Sequence, residues 1–457
     1  MRGFIFETDN KNKYFYNDVT GNVDFYETAF KNYSIDESYK DEEINSEEFF
    51  NASNYQIERY LMKHGFQQLI LMITEDCNLR CKYCIYSENY DVSRNHGKRQ
   101  MKFEVAEKAV RKYFDEFIKV KSNNPFLVPR IGFYGGEPLM NLEVILKTVE
   151  LCKEIYPYEV KFNITTNAVL LDDDIIKFLI ENKFALSVSL NGDKHENDRL
   201  RVFPNSGGTY DIIMKKLLRI KELEPEYYKN YCSMIITFDT GTSFKRLNEF
   251  IENNKEDLPI IAKVNPVSSV GTTWYDQYSK SEKEKQKEEL TELRNEYTKQ
   301  LINGEKDMLL TNIFGLEYFS VINRINNIEL KKIRPEFMKY TGACIPGTKL
   351  AIDTLGNIHC CERVGEMHSI GDVDSWISYD KINDMLFKYK QSIMKDCSNC
   401  CIQRLCDFCY CHVLSADGGF SKKNEDMCKK SIDYQKKLFS RVWTIVENAK
   451  GFNKIIE

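Results

Sequence analysis

Between about residue 66 and residue 272, the apolar positions follow two alternating patterns. Short runs of branched and aromatic residues have the length and composition of buried β-strands, and the stretches between them repeat apolar residues at helical spacing. One such stretch would place Ala106, Val110, Tyr113 and Phe117 on one helix face. Strands that alternate with helices predict βα units and a parallel sheet. The six predicted strands are residues 68–74, 130–133, 160–165, 184–190, 231–237 and 263–267.

The pattern differs on both sides of this region. Residues 1–65 contain short apolar and aromatic stretches separated by turn residues, which predict antiparallel strands in a small N-terminal β-rich module. An acidic stretch, residues 36–48, belongs to the same segment. Residues 273–340 are charged, and a few apolar residues recur at helical spacing, so we expect a helical linker with a solvated face. These apolar residues are Leu290, Leu293, Tyr297 and Leu301.

Composition and charge narrow the class of protein. A hydrophobic content of 42% and an aromatic content of 13% in 457 residues indicate a folded chain of two or three domains. A formal net charge of -5 argues against a broad nucleic-acid-binding surface. No apolar run has the length of a membrane span, and the first residues lack the pattern of a signal peptide. We therefore expect a cytoplasmic protein whose partners include neither nucleic acid nor a membrane.

Cysteine is the most unusual component of the chain. There are 15 cysteines, and in a cytoplasmic protein that number indicates metal binding or catalysis rather than disulfides. Ten of them lie within residues 344–428, which predicts a second, metal-bearing domain over residues 341–440 and a C-terminal tail over residues 441–457. Cys152, on an apolar helix face, and Cys232, at the start of a strand, are better interpreted as buried thiols.

Three cysteines, Cys77, Cys81 and Cys84, follow the first predicted strand within eight residues. Thiolates are the ligands of iron–sulfur clusters, and a loop this short can hold one cluster. Three thiolates on a four-iron cluster leave one iron with an open coordination position. The spacing therefore predicts a cluster that can bind a further molecule.

The Cys-x3-Cys-x2-Cys spacing, with Tyr83 before the last cysteine, resembles the signature of the radical S-adenosylmethionine (SAM) enzymes. A second motif of that family, Tyr134-Gly135-Gly136-Glu137-Pro138, follows the second predicted strand. The resemblance implies an α/β fold with a partial (β/α)6 TIM-like barrel over residues 66–272. It also implies that the three cysteines hold a [4Fe–4S] cluster to which SAM binds.

The same resemblance implies which residues contact SAM. Tyr83 and the segment Gly135, Gly136, Glu137 and Pro138 are the first candidates, and Glu137 offers an acceptor to the SAM amino group. Paired glycines would let the backbone approach a ligand closely. The other candidates lie at or after strand ends: Thr166, Asn167, Ser189 and Arg201.

These later candidates differ in how well they match the family. Thr166 and Asn167 end the third predicted strand, where a plain turn is the alternative. Ser189 and Arg201 match a Ser-x-Asp-Gly…His-Asp-x-x-Arg pattern, in which Arg201 would be a cation for the SAM carboxylate. The usual Asp and His of that pattern are Asn191 and Asn197 here, which weakens any acid–base role at those positions.

The C-terminal cysteines resemble the SPASM extension of radical SAM peptide maturases, so we expect a Cys-rich SPASM domain. Two of its spacings are present, Gly356-x4-Cys361 and Cys397-x2-Cys400-x5-Cys406. At the next expected cysteine the chain has Tyr410, with Cys409 and Cys411 on either side, and Cys401 is an additional cysteine. The resemblance leaves open which of Cys409 and Cys411 is a ligand.

Two auxiliary [4Fe–4S] clusters are implied by this second resemblance. One would be held by Cys397, Cys400, Cys406 and Cys428, and the other by Cys344, Cys361 and one of Cys409 or Cys411. The second set is one ligand short. Either Cys360 completes it or one iron stays open for a substrate thiolate. Because Cys-x2-Cys pairs also bind zinc, a pair of zinc sites is the alternative.

The function implied by these resemblances is peptide modification. A reduced cluster, supplied with electrons by flavodoxin or ferredoxin, would cleave SAM to a 5′-deoxyadenosyl radical that abstracts a hydrogen from the substrate. The sequence around both motifs resembles maturases that install thioether bonds in Cys-rich ribosomally made precursor peptides. In that case the N-terminal module would dock the leader peptide, or it would only pack on the core. A sulfatase-maturating enzyme that makes formylglycine and a non-catalytic zinc adaptor are the alternatives.

Overall fold

The computed structural model describes two compact units of the chain. The barrel unit comprises Asn54–Glu282 and Ile345–Met385, and the cysteine-rich unit comprises Met1–Ser53, Lys283–Cys344 and Leu386–Glu457. Within these units the described residues are 3–18, 20–27, 52–90, 94–326, 336–338, 343–394, 397, 400–406, 408–415, 419–422 and 425–449. The acidic stretch at residues 36–48 lies outside them.

The chain begins with a three-stranded antiparallel sheet in the order β1-β2-β3. Its strands are β1 (Gly3–Glu7), β2 (Lys13–Asn17) and β3 (Val23–Phe25). Phe4 faces Tyr16 and Phe6 faces Tyr14 across the first pair, and all four rings are buried. Cross-strand aromatic pairs stabilise such small sheets. The predicted β-rich N-terminal module is therefore confirmed for these residues.

The barrel unit alternates helices and strands along the chain. Its elements are α1 (Asn54–His64), β4 (Gln68–Thr74), α2 (Phe103–Asn123), β5 (Arg130–Gly135), α3 (Leu142–Ile155), β6 (Lys161–Thr166), α4 (Asp173–Glu181), β7 (Ala185–Ser189), α5 (Lys194–Leu200), α6 (Tyr210–Leu223), α7 (Pro225–Tyr231), β8 (Cys232–Phe238), α8 (Phe244–Asn253), β9 (Ile260–Pro266), β10 (Lys349–Ile352), β11 (Asn357–His359), β12 (Ser369–Asp372) and β13 (Trp376–Ile377).

The strands of this unit form one sheet with the order β13-β12-β11-β10-β4-β5-β6-β7-β8-β9. Strands β4 to β9 are parallel neighbours in chain order, which is the arrangement of a partial (β/α)6 barrel. Strand β10 adds to β4 in parallel, and β11, β12 and β13 extend this edge as an antiparallel meander. The six predicted strands are confirmed. Helix α1 and the strands β10 to β13 were not predicted.

Helices cover this sheet with their apolar faces. Ala106, Val110, Tyr113 and Phe117 are all buried on α2, as their helical spacing predicts. Cys152 on α3 is fully buried, and Cys232 is buried at the start of β8. Both are the buried thiols expected from the sequence. The carboxyl ends of the parallel strands all lie at one edge of the sheet, where α/β proteins place their ligand sites.

The cysteine-rich unit is mainly helical outside its small sheet. Its helices are α9 (Lys280–Asn303), α10 (Met308–Asn326), the C-terminal part of α11 (Tyr379–Ile393) and α12 (Glu425–Asn448). One apolar core joins them to the N-terminal sheet. In this core, Phe439 and Trp443 of α12 stack on each other and contact Phe6 edge-on. Among the described residues, no helix is long and apolar enough to cross a membrane.

Candidate active site

The loop with Cys77, Cys81 and Cys84 leaves the carboxyl end of β4 and is held by its backbone. The amide of Arg80 donates to the carbonyl of Val202 at 2.8 Å, and that of Lys82 donates to the carbonyl of Leu200 at 2.9 Å. The loop therefore lies along the segment that follows α5. This contact brings the cysteine loop next to Arg201, which the sequence placed in a separate motif.

The three thiols are partly buried and lie within electrostatic range of one another. Burial raises the pKa of Cys77 to about 12, although the N–H of Leu79 donates to its Sγ at 3.4 Å. Burial likewise raises the pKa of Cys84 to about 11, and the neighbouring Cys81 raises it further. Three thiolates at this place are therefore unfavourable without a positively charged partner. A thiolate-bound metal group supplies such a charge.

The arrangement of possible metal ligands bears on the kind of metal group that could bind. Among the described residues, no three His, Cys, Asp or Glu side chains converge as the ligands of a single metal ion would. A cluster has several metal atoms and is larger than one ion, so its ligands are spread further apart. The three thiols of the loop are of the type that such clusters use as ligands.

Gly135 and Gly136 pack directly on the start of the cysteine loop. A Cβ atom on Gly135 would lie 2.3 Å from the carbonyl oxygen of Thr74, and one on Gly136 would lie 2.1 Å from that of Asp76. The amide of Gly136 donates to Thr74, and that of Glu137 donates to Asp76, both at 2.8 Å. Glycine is therefore required at both positions because the backbone at the start of the cysteine loop lies too close for a side chain. The two sequence motifs form one structural element.

Glu137 is fully buried and connects β5 to β6. Its carboxylate accepts hydrogen bonds from the Thr166 hydroxyl at 2.6 Å, the Asn167 amide at 2.8 Å and the Leu139 amide at 3.1 Å. Burial raises the pKa of Glu137, and these three donors oppose the rise. A carboxylate has about four acceptor positions. One position, on Oε2, thus remains for a further donor.

Asn167 connects the same region to the cysteine loop. Its Nδ2 donates to Oδ1 of Asn78 at 2.7 Å and lies 3.9 Å from Sγ of Cys77. The Nδ2 atom of Asn78 is buried and has no hydrogen-bond partner among the described residues. Buried donors of this kind usually have a partner in the functional state, because leaving them unpaired is costly.

Tyr83 and Arg201 form the opposite wall of the site. Nη1 of Arg201 donates to the Tyr83 hydroxyl at 2.8 Å, and Nδ2 of Asn191 donates to the same oxygen at 3.3 Å. Asn191 also accepts from the amide of Thr237 at 3.0 Å, so it acts as a structural amide. Arg201 is 5% exposed, and its Nε has no partner among the described residues.

The remaining candidates of the barrel unit lie at the same edge of the sheet. Ser189 ends β7 and is partly buried, and Pro138 begins a short 3-10 helix, Pro138–Asn141. Asn197 is buried and donates to Asp198 and to Thr209, which fixes the end of α5 to the start of α6. Asn197 therefore supports the segment that carries Arg201.

One polar cluster near this site was missed by the sequence analysis. Asp239 directly follows β8, is fully buried and accepts from Arg199 at 2.6 Å and from Tyr278 at 2.6 Å. Arg199 also pairs with Glu196 at 2.6 Å. These groups hold α5 against the ends of β8 and β9. A buried acid directly after a strand was the available signal.

The auxiliary cysteines are divided between the two units. Cys360 and Cys361 follow β11 in the barrel unit and are buried. A hydrogen bond from Cys360 lowers the pKa of Cys361. The first predicted ligand set, Cys397, Cys400, Cys406 and Cys428, lies within the cysteine-rich unit. The second set is split between the units. Cys361 belongs to the barrel unit, whereas Cys344, Cys409 and Cys411 belong to the cysteine-rich unit.

Tyr410 occupies the place of the missing SPASM cysteine and is fully buried. Its hydroxyl donates to the carbonyl of Cys344 at 2.8 Å, and its ring contacts that of Tyr389 edge-on at 4.7 Å. The thiols of Cys409 and Cys411 lie 3.5 Å apart. Tyr410 thus connects two segments that carry predicted ligands, and both flanking thiols point to the same place.

His359 precedes these cysteines in the barrel unit and is fully buried. Its Nε2 lies 3.0 Å from a carboxylate oxygen of Asp353, which also accepts from the side chain of Asn357 at 2.9 Å. Burial lowers the pKa of His359, although Asp353 opposes this. His359 connects β11 to the turn after β10 and is placed there as a structural residue.

Comparison with known proteins finds a family match in the central region. Residues 71–252 match the model of the Radical SAM superfamily. The chain is 29% identical over 169 residues to the cysteine-type anaerobic sulfatase-maturating enzyme of Clostridium novyi. This aligned region covers 36% of this chain and 42% of that enzyme. It is 23% identical over 396 residues to the radical SAM cyclopropyl synthase TigE of Paramaledivibacter caminithermalis. This alignment covers 81% of this chain and 74% of that protein.

The fold has a solved counterpart. The structure of native anSMEcpe with bound AdoMet superposes with a TM-score of 0.57 at 18% identity, over 84% of this chain and 99% of that one. At this level of identity, the similarity establishes the fold alone.

Proposed function

We propose that this chain, which carries a radical SAM domain over residues 71–252, is a cytoplasmic enzyme that installs thioether bonds in a peptide. Its substrate would be a ribosomally made Cys-rich precursor peptide, and flavodoxin or ferredoxin would donate the electrons. One observation carries the proposal. The cysteine loop after β4 adjoins Glu137 after β5 and the segment of Arg201 after α5, and Asn78 and Arg201 keep unpaired N–H donors there.

The residues present fit a [4Fe–4S] cluster and SAM. Cys77 and Cys84 need a cationic partner as thiolates, as their burial indicates, and Cys81 lies in the same loop. Glu137 retains one acceptor position for an ammonium group, and Arg201 retains a buried donor for a carboxylate. When bound, the cluster and SAM supply a 5′-deoxyadenosyl radical that abstracts a hydrogen. The Leu139 amide, the Thr166 hydroxyl and the Asn167 amide fix the Glu137 carboxylate, and the Tyr83 hydroxyl accepts from both Arg201 and Asn191.

A polar surface on the central sheet supports binding of a peptide. On β6, β7 and β8, buried residues alternate with partly buried residues, which are polar except for Ile235. The partly buried polar residues are Asn163, Thr165, Ser187, Ser189, Ser233 and Thr237. The interior of a closed barrel is normally filled with large apolar side chains. A polar, uncharged surface instead suits a peptide segment, whose amide groups need hydrogen-bond partners.

The cysteines of the cysteine-rich unit support the thioether assignment. By the resemblance stated above, they and Cys361 would hold auxiliary clusters, one of which would have an iron open to a substrate thiolate unless Cys360 completes its ligand set. A substrate bound in this way would present its sulfur for bond formation as the carbon centre forms. The N-terminal sheet would dock the leader peptide, because its edge strands expose Ile5 and Phe25 and an edge strand can add a further strand.

The radical SAM assignment is tested without any peptide. Anaerobically reconstituted protein, SAM and a reductant should produce 5′-deoxyadenosine. The Cys81→Ala variant should produce none, whereas Cys152→Ala, which changes a buried thiol outside the site, should retain production. If Cys81→Ala turned over SAM like the wild type, the catalytic cluster would be assigned to the wrong residues.

The substrate assignment is tested by intact mass and by counting alkylatable thiols. A Cys-rich precursor peptide is incubated with the enzyme, SAM and reductant. Thioether formation removes two hydrogens per bond and one free thiol per bond, and reductant does not restore the thiol. Mass loss with every thiol retained would instead indicate a carbon–carbon or carbon–oxygen bond. An unchanged peptide in a reaction that makes 5′-deoxyadenosine would exclude that peptide class.

A second candidate is formylglycine formation in a sulfatase. It is favoured by the match to the Clostridium novyi sulfatase-maturating enzyme. The amide of Asn191 at a position where the family has Asp counts against it, because that side chain is occupied by Thr237 and Tyr83. The two candidates differ in product. Formylglycine reacts with hydrazides, whereas a thioether does not.

A further inference from the structure

Three buried N–H donors in the segments that form this site, or next to them, lack partners among the described residues of the barrel unit. They are Nδ2 of Asn78, Nε of Arg201 and Nε1 of Trp274. The first two belong to motifs already assigned to SAM. Trp274 belongs to no motif, and its indole donor has the same need of an acceptor.

The position of Trp274 connects it to the same site. It begins a short 3-10 helix, Trp274–Gln277, after β9 and is 7% exposed. Its ring forms an apolar cluster with Leu200 and Val267, against which Tyr83 packs. Leu200 directly precedes Arg201, and Tyr83 accepts from Arg201 at 2.8 Å. Trp274 therefore packs in one cluster with both segments that form this wall of the SAM site.

Segment 267–278, which carries Trp274, is held at both ends. The amide of Val267 donates to the carbonyl of Phe238 at 2.8 Å. The Tyr278 hydroxyl donates to Asp239 at 2.6 Å. In between, the amide of Thr273 donates to the carbonyl of Asn89, downstream of the cysteine loop, at 3.0 Å. The segment that carries Trp274 is thus held at three points.

We propose that Trp274 binds SAM directly, with its indole N–H donating a hydrogen bond to the bound cofactor. This inference rests on the proposed function, because it requires SAM at the site. It adds a residue after the sixth barrel strand to those that the motifs supply. The bond pairs a buried donor that would otherwise stay unpaired, so its loss weakens SAM binding rather than only loosening the fold.

Trp376 provides a matched control. It is also 7% exposed, and its Nε1 also lacks a partner among the described residues. It lies in β13, at the end of the sheet opposite β9. Burial and an unpaired donor are therefore equal in the two residues, whereas Trp274 alone packs with Tyr83.

The first test measures SAM affinity by equilibrium dialysis with cluster-loaded protein and radiolabelled SAM. Trp274→Phe should weaken binding about five- to tenfold, the effect of one lost hydrogen bond. Trp376→Phe should bind SAM like the wild type. Equal affinity of Trp274→Phe and the wild type would overturn the inference. Absence of SAM binding by the wild type would overturn the proposed function itself.

The second test does not depend on folding of a Trp274 variant. The indole N–H bands in the ultraviolet resonance Raman spectrum report hydrogen bonding of tryptophan. Adding SAM to the cluster-loaded wild type should shift one indole signal to its hydrogen-bonded position, and Trp376→Phe should keep that shift. A spectrum unchanged by saturating SAM would overturn the inference and leave the SAM site in place.

Discussion

The cysteine loop of the barrel unit and the cysteines of the cysteine-rich unit are held by different kinds of structure. The loop leaves the end of a parallel strand, and backbone hydrogen bonds from two other segments fix it. The cysteines of the second unit lie on turns and helix ends, such as Cys428 in the first turn of α12. The sheet defines the first site by itself. We expect the second site to depend more on what its thiols bind.

The largest expected effect of this difference is on the response to metal removal. Anaerobic chelation should leave amide exchange in β5 to β8 nearly unchanged, because their hydrogen bonds are within the sheet. Amides of α12 and of residues 400–415 should lose about a hundredfold of their protection, because metal binding and folding are coupled in such units. Hydrogen exchange with mass spectrometry measures both regions at once. Equal loss of amide protection in the two regions would show that they do not differ in their dependence on metal.

The next effect is steric and belongs to the barrel unit. Gly136→Ala should lower the free energy of unfolding by about 3 kcal/mol, because its Cβ would lie 2.1 Å from the backbone of Asp76. The iron content of the catalytic site should fall with it. Denaturant unfolding and iron analysis measure these quantities. Gly207→Ala, where the nearest atom is a flexible side chain at 3.1 Å, should cost far less.

A smaller effect concerns Lys390 on α11 in the cysteine-rich unit. Burial lowers the pKa of Lys390 to about 8, below its usual value near 10.4 in an unfolded chain. The fold therefore disfavours the charged form, and this costs stability at pH values below 8. The cost diminishes as the pH rises from about 8 to about 10.4.

Lys390→Met should accordingly stabilise this unit by about 2 kcal/mol at pH 7, and the gain should shrink by pH 10. Urea unfolding at the two pH values measures it. Lys388→Met, on the exposed side of the same helix, should have little effect at either pH. A gain for Lys390→Met that stays constant with pH would show that packing, and not charge, is responsible.

The smallest expected effect is at Tyr410. Tyr410→Phe removes the hydrogen bond to the Cys344 carbonyl and should cost about 1 kcal/mol. It should also lower iron bound by the auxiliary cysteines when measured in a Cys81→Ala background. Tyr389→Phe removes a similar bond to Phe408, which is no predicted ligand, and should leave iron content unchanged. Equal iron in all three proteins would show that Tyr410 does not position a ligand.

The sequence was most informative where patterns are long. The six parallel strands of the barrel were predicted because each is a run of four to seven residues with strand-like apolar positions, set between segments of helical spacing. Strands β10 to β13 have two to four residues, which is too short for a periodic signal. Helix α1 was missed because only Ile57 and Leu61 mark its buried face.

In the candidate site, the sequence predicted individual residues but not the contacts between them. Resemblance supplied the cysteines, Glu137 and Arg201, but not the contacts that join them. That Gly135 and Gly136 approach the backbone of the cysteine loop depends on the pairing of β4 with β5, about sixty residues apart. The cluster of Arg199 with Asp239 likewise joins positions 40 residues apart. Such pairs become visible only when the strand order is known.

The close packing of Gly135 and Gly136 on Thr74 and Asp76 has a consequence for protein engineering. The cysteine loop and the Gly-Gly-Glu-Pro segment are separate in the chain but share one interface, in which neither side has room for an added carbon atom. A cysteine loop transplanted alone into another parallel barrel would therefore lose its supporting surface. The unit that can be moved between scaffolds is the pair of adjacent strand ends, β4 and β5, together with both of their loops.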